Sequence, residues 1–457
     1  MSFKKPKAAA PPPSPRVVRS DAAGIDVGSE FHVVAVPPER DPEPIRTFGV
    51  FTDDLKQMAA WLRQCGVTTV VLESTGVYWM ALCDYLEGQK FEVLVVDPRA
   101  LARNLKKKTD VCDAAWLQEL HAFGMFKGCF RPDPDVRNLR TLWRHRDHLI
   151  TEAAKLLQMM QKVLVPMNVH LHLVVADIAG ATGMRILRAI SRGQREPHTL
   201  AKLRDVNCKK SEEEIAKALE GTWDEAHLFE LKQLLKAWDF YQGQLQTCDR
   251  QYAKLAGTIP DKSKGQPLPE AQKRVQKHRN AVTAFDSDAL IYRMTGVRLT
   301  DVDGLGSSTV LTVLSETGPN LGSKFATDKH FAAWTTLAPR KHQSGRRTKF
   351  PAQTASRVAL AFRLAAAFRL AARALINSKS VLGSFLRRLR ARLGIGTAIR
   401  ATACKLAKLF YRLVTKGEAY RRSSTEAEEV KQKERQVKAL ERKARELGLQ
   451  VVPMAAV

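Results

Sequence analysis

Three absences narrow the class of this chain before any motif is read. Its seven cysteines, at 65, 83, 112, 129, 208, 248 and 404, form no CxxC pair. That scatter points away from a zinc site and from a disulfide framework, and fits a reducing cytoplasm. No uninterrupted apolar run is long enough to span a bilayer, so no membrane partner is expected. Residues 1–20 are basic, contain Pro11-Pro12-Pro13 and lack the apolar stretch of a signal peptide, so they read as a disordered basic tail. The third absence is local: between Lys329 and Lys416 there are 20 Lys or Arg and no Asp or Glu. A surface that one-sided repels itself unless something anionic covers it.

What is present fits those exclusions. The 457 residues are 44% hydrophobic, enough for two or three domains with a sizeable core. The formal net charge of +27 favours a polyanionic partner, with nucleic acid ahead of a membrane surface.

From Ala22 to about Gly128 the pattern alternates. Strand-like runs cover 22–36, 45–51, 67–73 and 91–96, and helical runs cover 53–64, 77–88 and 110–124. This predicts an α/β domain with a mixed sheet, its first two strands forming a hairpin. Four acids occupy particular places in it. Asp26 lies inside the apolar, β-branched run 22–36, where a carboxylate is costly unless paired or bound to metal. Glu73 closes the run Val67 to Leu72, where a strand gives way to a loop. Asp110 and Asp113 stand three apart just before Ala114, Ala115, Trp116, Leu117 and Leu120, on one face of a helix's first turn. Asp also favours helix starts for capping reasons alone. Taken together the four are hard oxygen donors suited to Mg²⁺ or Mn²⁺. Two such ions about 4 Å apart serve phosphodiester chemistry by stabilising the attacking and leaving oxygens.

Beyond about Asp135 the chain turns helical. Residues 135–165 lack proline and glycine and carry Leu139, Leu142, Leu149, Ile150, Ala153, Leu156, Leu157 and Met160 at helical spacing. A second long helix is expected from Trp223 to about Ala256, the pair making an antiparallel arm or coiled coil. Trp143, Arg144, His145, Arg146 and His148 give the arm's start a basic, aromatic character that suits either solvent or RNA. Residues 166–222 read as an insert with helices near 180–192 and 211–219. His170 and His172 alternate on an extended-looking run, with no Cys or acid to complete a metal set. Residues 259–280, with Pro260, Pro267 and Pro269, read as a linker. Asp303-Gly304-Leu305-Gly306-Ser307-Ser308-Thr309 then precedes an apolar helix and is similar to half of a helix-hairpin-helix, although an ordinary helix-entry turn has the same composition.

The cation-rich region alternates with apolar residues such as Leu360, Phe362, Leu364, Phe368 and Leu409. It reads as packed helices with one face given to phosphate, and Arg340, Lys341, Arg346, Arg347, Lys349, Arg387, Arg388, Arg390 and Arg392 are the candidate contacts. Within it, His342-Gln343-Ser344-Gly345-Arg346-Arg347 sets a serine among cations that would orient a phosphodiester. Residue types alone equally describe a Ser-Gly turn in a basic loop. Residues from Thr425 to about Leu447 read as a mixed-charge helix.

Gly24-Ile25-Asp26-Val27-Gly28, Glu73-Ser74-Thr75-Gly76-Val77-Tyr78-Trp79 and Lys108-Thr109-Asp110-Val111-Cys112-Asp113-Ala114 resemble the motifs of DEDD-type insertion-sequence transposases, relatives of the Piv invertases and also called bridge-RNA-guided recombinases. Phe331-Ala332-Ala333-Trp334 through Ser344-Gly345 resembles the family's C-terminal half. Asp177-Ile178-Ala179-Gly180-Ala181-Thr182-Gly183 is similar to the longer-armed subgroup. The resemblance covers nearly everything beyond the first 20 residues. It implies a RuvC-like, ribonuclease-H-fold domain over 21–130 carrying Asp26, Glu73, Asp110 and Asp113 as metal-binding catalytic acids. It further implies a helical arm over 131–258, a linker over 259–285 and a mainly helical transposase domain over 286–420 with Ser344 as nucleophile. A charged helix and tail over 421–457 would follow. The implied activity is cutting and rejoining donor and target DNA with Mg²⁺ or Mn²⁺, guided by a non-coding RNA. The implied protein is a dimer or tetramer with composite sites, in the bacterial cytoplasm and on the nucleoid when bound to DNA. Two other readings remain open: a RuvC-like nuclease using metal-activated water, and a nucleic-acid-binding protein with a decayed site.

Overall fold

The computed structural model describes residues 16–74, 76–96, 110–126, 128–272, 280–339, 342–344, 347–349 and 359–421, with 430, 434, 437, 440–442 and 444–450 beyond them. For residues 110–112, 342–344, 347–349, 359 and 360 it describes the backbone alone. The chain divides into two compact units, residues 1–131 and 132–457. No described helix is long and apolar enough to cross a membrane.

The first unit is built on a five-stranded mixed sheet: β1 (Ala22–Val27), β2 (Phe31–Ala35), β3 (Ile45–Gly49), β4 (Thr69–Glu73) and β5 (Glu92–Val96). Their order is β3-β2-β1-β4-β5, with β1 antiparallel to β2 and parallel to β4. The expected single strand over 22–36 is in fact two. Residues 28–30 turn the chain, and Gly28 N donates to Phe31 O at 3.1 Å. Gly28-Ser29-Glu30 is a polar, turn-prone break inside the run, which reading 22–36 as one strand overlooks. The expected hairpin is also present as the antiparallel pair of β2 and β3.

Helices α1 (Thr52–Gln64) and α2 (Trp79–Gly88) cover one face of the sheet and α3 (Asp110–Ala122) the other. Leu55, Met58, Ala59 and Leu62 recur at helical spacing, and all four are buried against Ile25, Val70 and Leu72. Each such aliphatic chain taken out of water is worth about 1.5–3 kcal/mol. On the opposite face Ala114 packs with Val33 and Ala35, and Leu117 with Val71 and Val96.

In the second unit α4 (Pro134–Leu164) and α7 (Glu225–Ala256) run antiparallel, with Trp143 beside Tyr252, Arg146 on Asp249 and Leu149 against Leu245. Between them in sequence lie α5 (Ala181–Ser191) and α6 (Glu212–Ala218), close to the expected bounds. Their buried Ile186, Leu187, Ile190, Ile215 and Leu219 join Met160, Leu164 and Leu231 in one core. His170 and His172 do not lie on an extended run. His170 caps the single turn Leu171–Val174, and its Nε2 stands 3.0 Å from Asn168 Oδ1. Residues 259–272 hold no regular element yet are stitched down: Lys262 N donates to Arg293 O at 2.8 Å and Gln272 N to Asp301 Oδ1 at 3.0 Å.

The remaining helices are α8 (Ser287–Thr295), α9 (Ser307–Thr317), α10 (Asp328–Trp334), α11 (Ala359–Ala374), α12 (Val381–Leu393) and α13 (Ile395–Lys416). The Gly304-Leu305-Gly306 turn does lead into α9, and Gly304 passes close to Ala371 O of α11. The mixed-charge C-terminal helix is described at only some of its residues, among them Val430, Glu434, Val437 and Leu440, all helical.

One carboxylate ties this unit together. Glu316 of α9 is 1% exposed. Arg144 grips it with two bonds of 2.8 and 2.9 Å, Arg363 Nε reaches it at 2.9 Å, and Arg140 Nε lies 3.0 Å away. Breaking a buried ion pair costs about 3–5 kcal/mol, and less here because the arginines keep some solvent and Arg363 retains Asp147. Glu316→Ala is therefore expected to lose stability by up to that amount in denaturant unfolding, and a loss below about 1 kcal/mol contradicts this role.

The first unit contains a pH-sensitive group. His121 of α3 is 1% exposed and its Nε2 lies 2.9 Å from Thr69 Oγ1. Burial, aided by the Arg19 charge, pushes its pKa down to about 4. The unfolded chain takes up this proton near pH 6.5 whereas the folded chain resists it until about pH 4. Stability from this group is thus full above 6.5 and lost as pH falls between those values, by at most about 1.4 kcal/mol per unit. His121→Gln should flatten the stability profile between pH 6.5 and 5, and a profile unchanged by that substitution would remove His121 as the cause.

Candidate active site

Asp26 is the fifth residue of β1 and the strand's half-exposed member among buried neighbours. Alternation sets Ala22, Gly24 and Asp26 on one sheet face, the face α3 covers. Gln118 Nε2 donates to Ala22 O at 3.2 Å. At Gly24 the approach is backbone to backbone: a Cβ there would lie 2.3 Å from Gln118 N and 2.4 Å from Ala114 O. Only glycine admits α3 at this depth. Two strand residues advance about 6.6 Å and one helical turn about 5.4 Å, so strand and helix keep step in opposite directions. Ala22 meets Gln118 and Gly24 meets Ala114 and Gln118. The next step takes Asp26 toward the first turn of α3, which begins at Asp110.

Glu73 is the last residue of β4. Parallel pairing of Ile25 with Leu72 makes Asp26 and Glu73 neighbours on the two central strands. Ser74 ties the strand end to β5, its N and Oγ both donating to Val96 O, at 3.0 and 2.9 Å. Asp113 is half-buried, and its Oδ1 is buried with no hydrogen-bond partner among the described residues. A buried carboxylate oxygen without a donor carries a desolvation cost that a cation would offset. Asp110 starts α3, but its side chain lies outside the described residues, as do residues 97–109 that lead into it. Among the described residues no three His, Cys, Asp or Glu side chains stand together as a metal site. The donor set is all carboxylate, and with Asp113 Oδ1 it fits a hard divalent cation such as Mg²⁺ or Mn²⁺.

Ser344 lies on the other unit. It ends β6 (His342–Ser344), which pairs antiparallel with β7 (Arg347–Lys349), Ser344 opposite Arg347. This register pairs the serine backbone with that of Arg347 at one end of the two strands. The side chains of Ser344, Arg347 and Lys349 lie outside the described residues, as do Arg340, Lys341 and Arg346 entirely. Of the other candidate phosphate contacts, Arg390 and Arg392 are exposed on α12 and Arg388 is half-buried. Arg387 is partly committed within the unit, donating to Ile376 O at 3.3 Å and to Ser378 O.

Reading residue types alone misses Gly24. Its one available signal is a glycine inside an otherwise β-branched strand, which marks a close backbone approach.

Acids ending the two central strands of a mixed sheet, with two more opening the helix laid across them, are consistent with a ribonuclease-H-like DEDD domain. Residues 23–168 match a family model of DEDD transposases of the IS110 group, described as "Transposase", and residues 297–385 match one described as "Transposase IS116/IS110/IS902 family". Together the matches span just over half of the chain. The chain belongs to the IS110-family DEDD transposases and is a DNA transposase or recombinase enzyme. No curated protein matches it.

Gly24→Ala should displace α3 and the acids at its start. It is expected to cost roughly 1–3 kcal/mol as an overpacking change. It should also weaken manganese binding measured by calorimetry. Wild-type stability together with wild-type manganese affinity would mean that α3 does not depend on this contact.

Proposed function

We propose that Asp26, Glu73, Asp110 and Asp113 form the metal-binding half of the transposase's active centre and that Ser344 is its nucleophile. What supports this reading is the seating of α3 on β1 at Gly24, which draws the start of α3 toward the end of β1 that carries Asp26, beside the β4 end that carries Glu73. A divalent ion bound there would supply Lewis-acid polarisation of the scissile phosphate and offset charge on its oxygens. The chain's own groups do the rest. Ser344 Oγ forms a new ester bond to phosphorus, its proton passing to solvent or a carboxylate. The displaced deoxyribose oxygen leaves and takes up a proton. A DNA hydroxyl then attacks the same phosphorus, the serine ester breaks and Ser344 is regenerated. One phosphoester replaces another at each step, so no nucleotide hydrolysis is needed. Arg340, Lys341, Arg346, Arg347 and Lys349 orient the diester beside the serine, and Arg387, Arg388, Arg390 and Arg392 hold flanking phosphates.

On this reading residues 21–130 carry the acids, 131–258 the arm and 286–420 the serine. The enzyme works as a homo-oligomer in which one protomer's acids serve another's serine. A non-coding RNA pairs with donor and target DNA and supplies sequence choice, leaving the protein to read backbone and shape. The site of action is DNA in the bacterial cytoplasm.

The test pairs two inactive variants. Asp26→Ala and Ser344→Ala should each abolish strand transfer while leaving a folded protein that binds DNA. Mixed as hetero-oligomers they should regain cleavage. Mixed oligomers that form yet stay inactive at every ratio count against a shared centre. A Ser344→Ala protein that still cuts DNA without a protein–DNA adduct would favour a water-using nuclease.

A further inference from the structure

The sheet edge that carries Asp26 and Glu73 also carries most of the large apolar side chains the first unit leaves exposed. These are Phe31 (43% exposed), Phe51 (78%), Val77 (66%), Tyr78 (51%) and Met80 (45%). The topology sets them in a row. β1, β3 and β4 end at this edge and β2 begins there, with Phe31 opposite Gly49. With the strands in the order β3-β2-β1-β4, Phe51 and Phe31 stand on one flank of the two acids. Val77, Tyr78 and Met80, in the segment after Glu73, stand on the other. Three strand spacings separate the flanks, about 14 Å.

Tyr78 is held in place. Gly76 has a left-handed φ of 57°, and a Cβ there would sit 3.4 Å from ring carbons Cδ2 and Cε2 of Tyr78. The ring therefore lies beside bare backbone, within ordinary contact distance of where a Cβ at 76 would stand. Met80 N donates to Val77 O at 3.2 Å and tightens the same turn.

Among its described residues the rim has little means of gripping phosphate. Segments 26–34, 49–54 and 73–83 contain no Lys or Arg. The acids beside Phe51 are engaged locally, Asp53 with Lys56 Nζ at 2.7 Å and Asp54 with Phe51 N at 3.1 Å. What the rim offers is aromatic and apolar surface, whereas the chain's cations concentrate elsewhere, between Lys329 and Lys416. A nucleic-acid strand crossing the acids would meet these rings with its bases. Paired bases hide their faces in the duplex stack, and unpaired ones expose them.

We propose that this rim is a stacking platform for unpaired nucleobases on either side of the phosphate at the acids, with Tyr78 the principal ring on one flank and Phe51 and Phe31 on the other. The proposal rests on the assignment of the acids as the phosphate site. It implies that the enzyme engages its DNA locally melted at the scissile step, with little base preference, because every base has a π-face.

The test uses the full-length protein and a single-stranded oligodeoxynucleotide substituted with iododeoxyuridine, a base that crosslinks to stacked aromatic side chains on irradiation. Mass spectrometry should find adducts at Tyr78, Phe51 or Phe31. Tyr78→Ala should lower the yield at its flank about tenfold, the equivalent of one lost stack. Tyr78→Phe should retain it. Phe51→Ala removes a ring 78% exposed, so loss of crosslinking there cannot be ascribed to misfolding. Adducts confined to residues 329–416, with yields unaffected by the rim substitutions, overturn the proposal. So does an oligomer that dissociates in rim variants with crosslinking intact, which would make the rim a contact between copies of the chain. Asp26→Asn keeps the two readings apart: crosslinking should persist while cleavage is lost. Cleavage by Asp26→Asn would refute the acid site and leave the adducts to judge the platform on their own.

Discussion

The arrangement of the first unit depends on one contact in which no side chain intervenes, the backbone of α3 resting on Gly24 of β1. Carboxylates repel each other when drawn together, so the acids cannot be what holds α3 against β1. The scaffold does that. It does so with small residues: Ala22, Gly24 and Ala114 let helix and strand approach closely, while Leu117 and Val71 fill the space behind them.

The second unit meets a related difficulty with the opposite sign. Its cations outnumber its acids, and several of those acids are used internally. Glu316 gathers Arg140, Arg144 and Arg363, Asp147 also takes Arg363, and Asp328 takes Arg412. Where pairing runs out, burial disfavours charge: Arg369 is pushed below the usual guanidinium range by desolvation and then by Arg400. The 20 cations between Lys329 and Lys416 are therefore not one uniform phosphate-binding surface. Arg363 and Arg412 are spent on holding helices together, and Arg387 is turned partly toward backbone carbonyls. Charge counting in sequence overstates how many are free for DNA.

Much of the architecture was legible because hydrophobic period and chain punctuation agree. α1, α5, α6 and the two long helices fall within a few residues of their expected bounds, and Glu73 does end a strand. The misreadings have separate causes. The break at 28–30 is marked by Gly28-Ser29-Glu30, and only averaging hydrophobicity over 22–36 hides it. His170 and His172 alternate like a strand but sit around a single helical turn fixed by tertiary contacts. The proline-rich stretch after Ile259 looks free in composition, yet hydrogen bonds to Arg293 and Asp301 pin it. At the site, sequence supplies the acid types and their places on strand ends and a helix start. It does not supply Gly24's role, because a close approach belongs to two segments distant in sequence.

The two functional groups the chain combines belong to different units, and each unit is secured up to the joint between them. Arg131 closes the first unit, bound to Asp84 and Glu87 of α2 with its guanidinium 5.6 Å from the Trp79 ring centre. Asp133 opens the second, 3.0 Å from Lys324. Only Pro132 lies between these anchored residues, and its ring restricts φ. The second unit is in turn stiffened from α4 through α9 and α11 by the charges gathered on buried Glu316. Each half of the proposed chemistry therefore rests on a scaffold secured by its own packing, α3 seated on Gly24 in the first unit and the Glu316 cluster in the second.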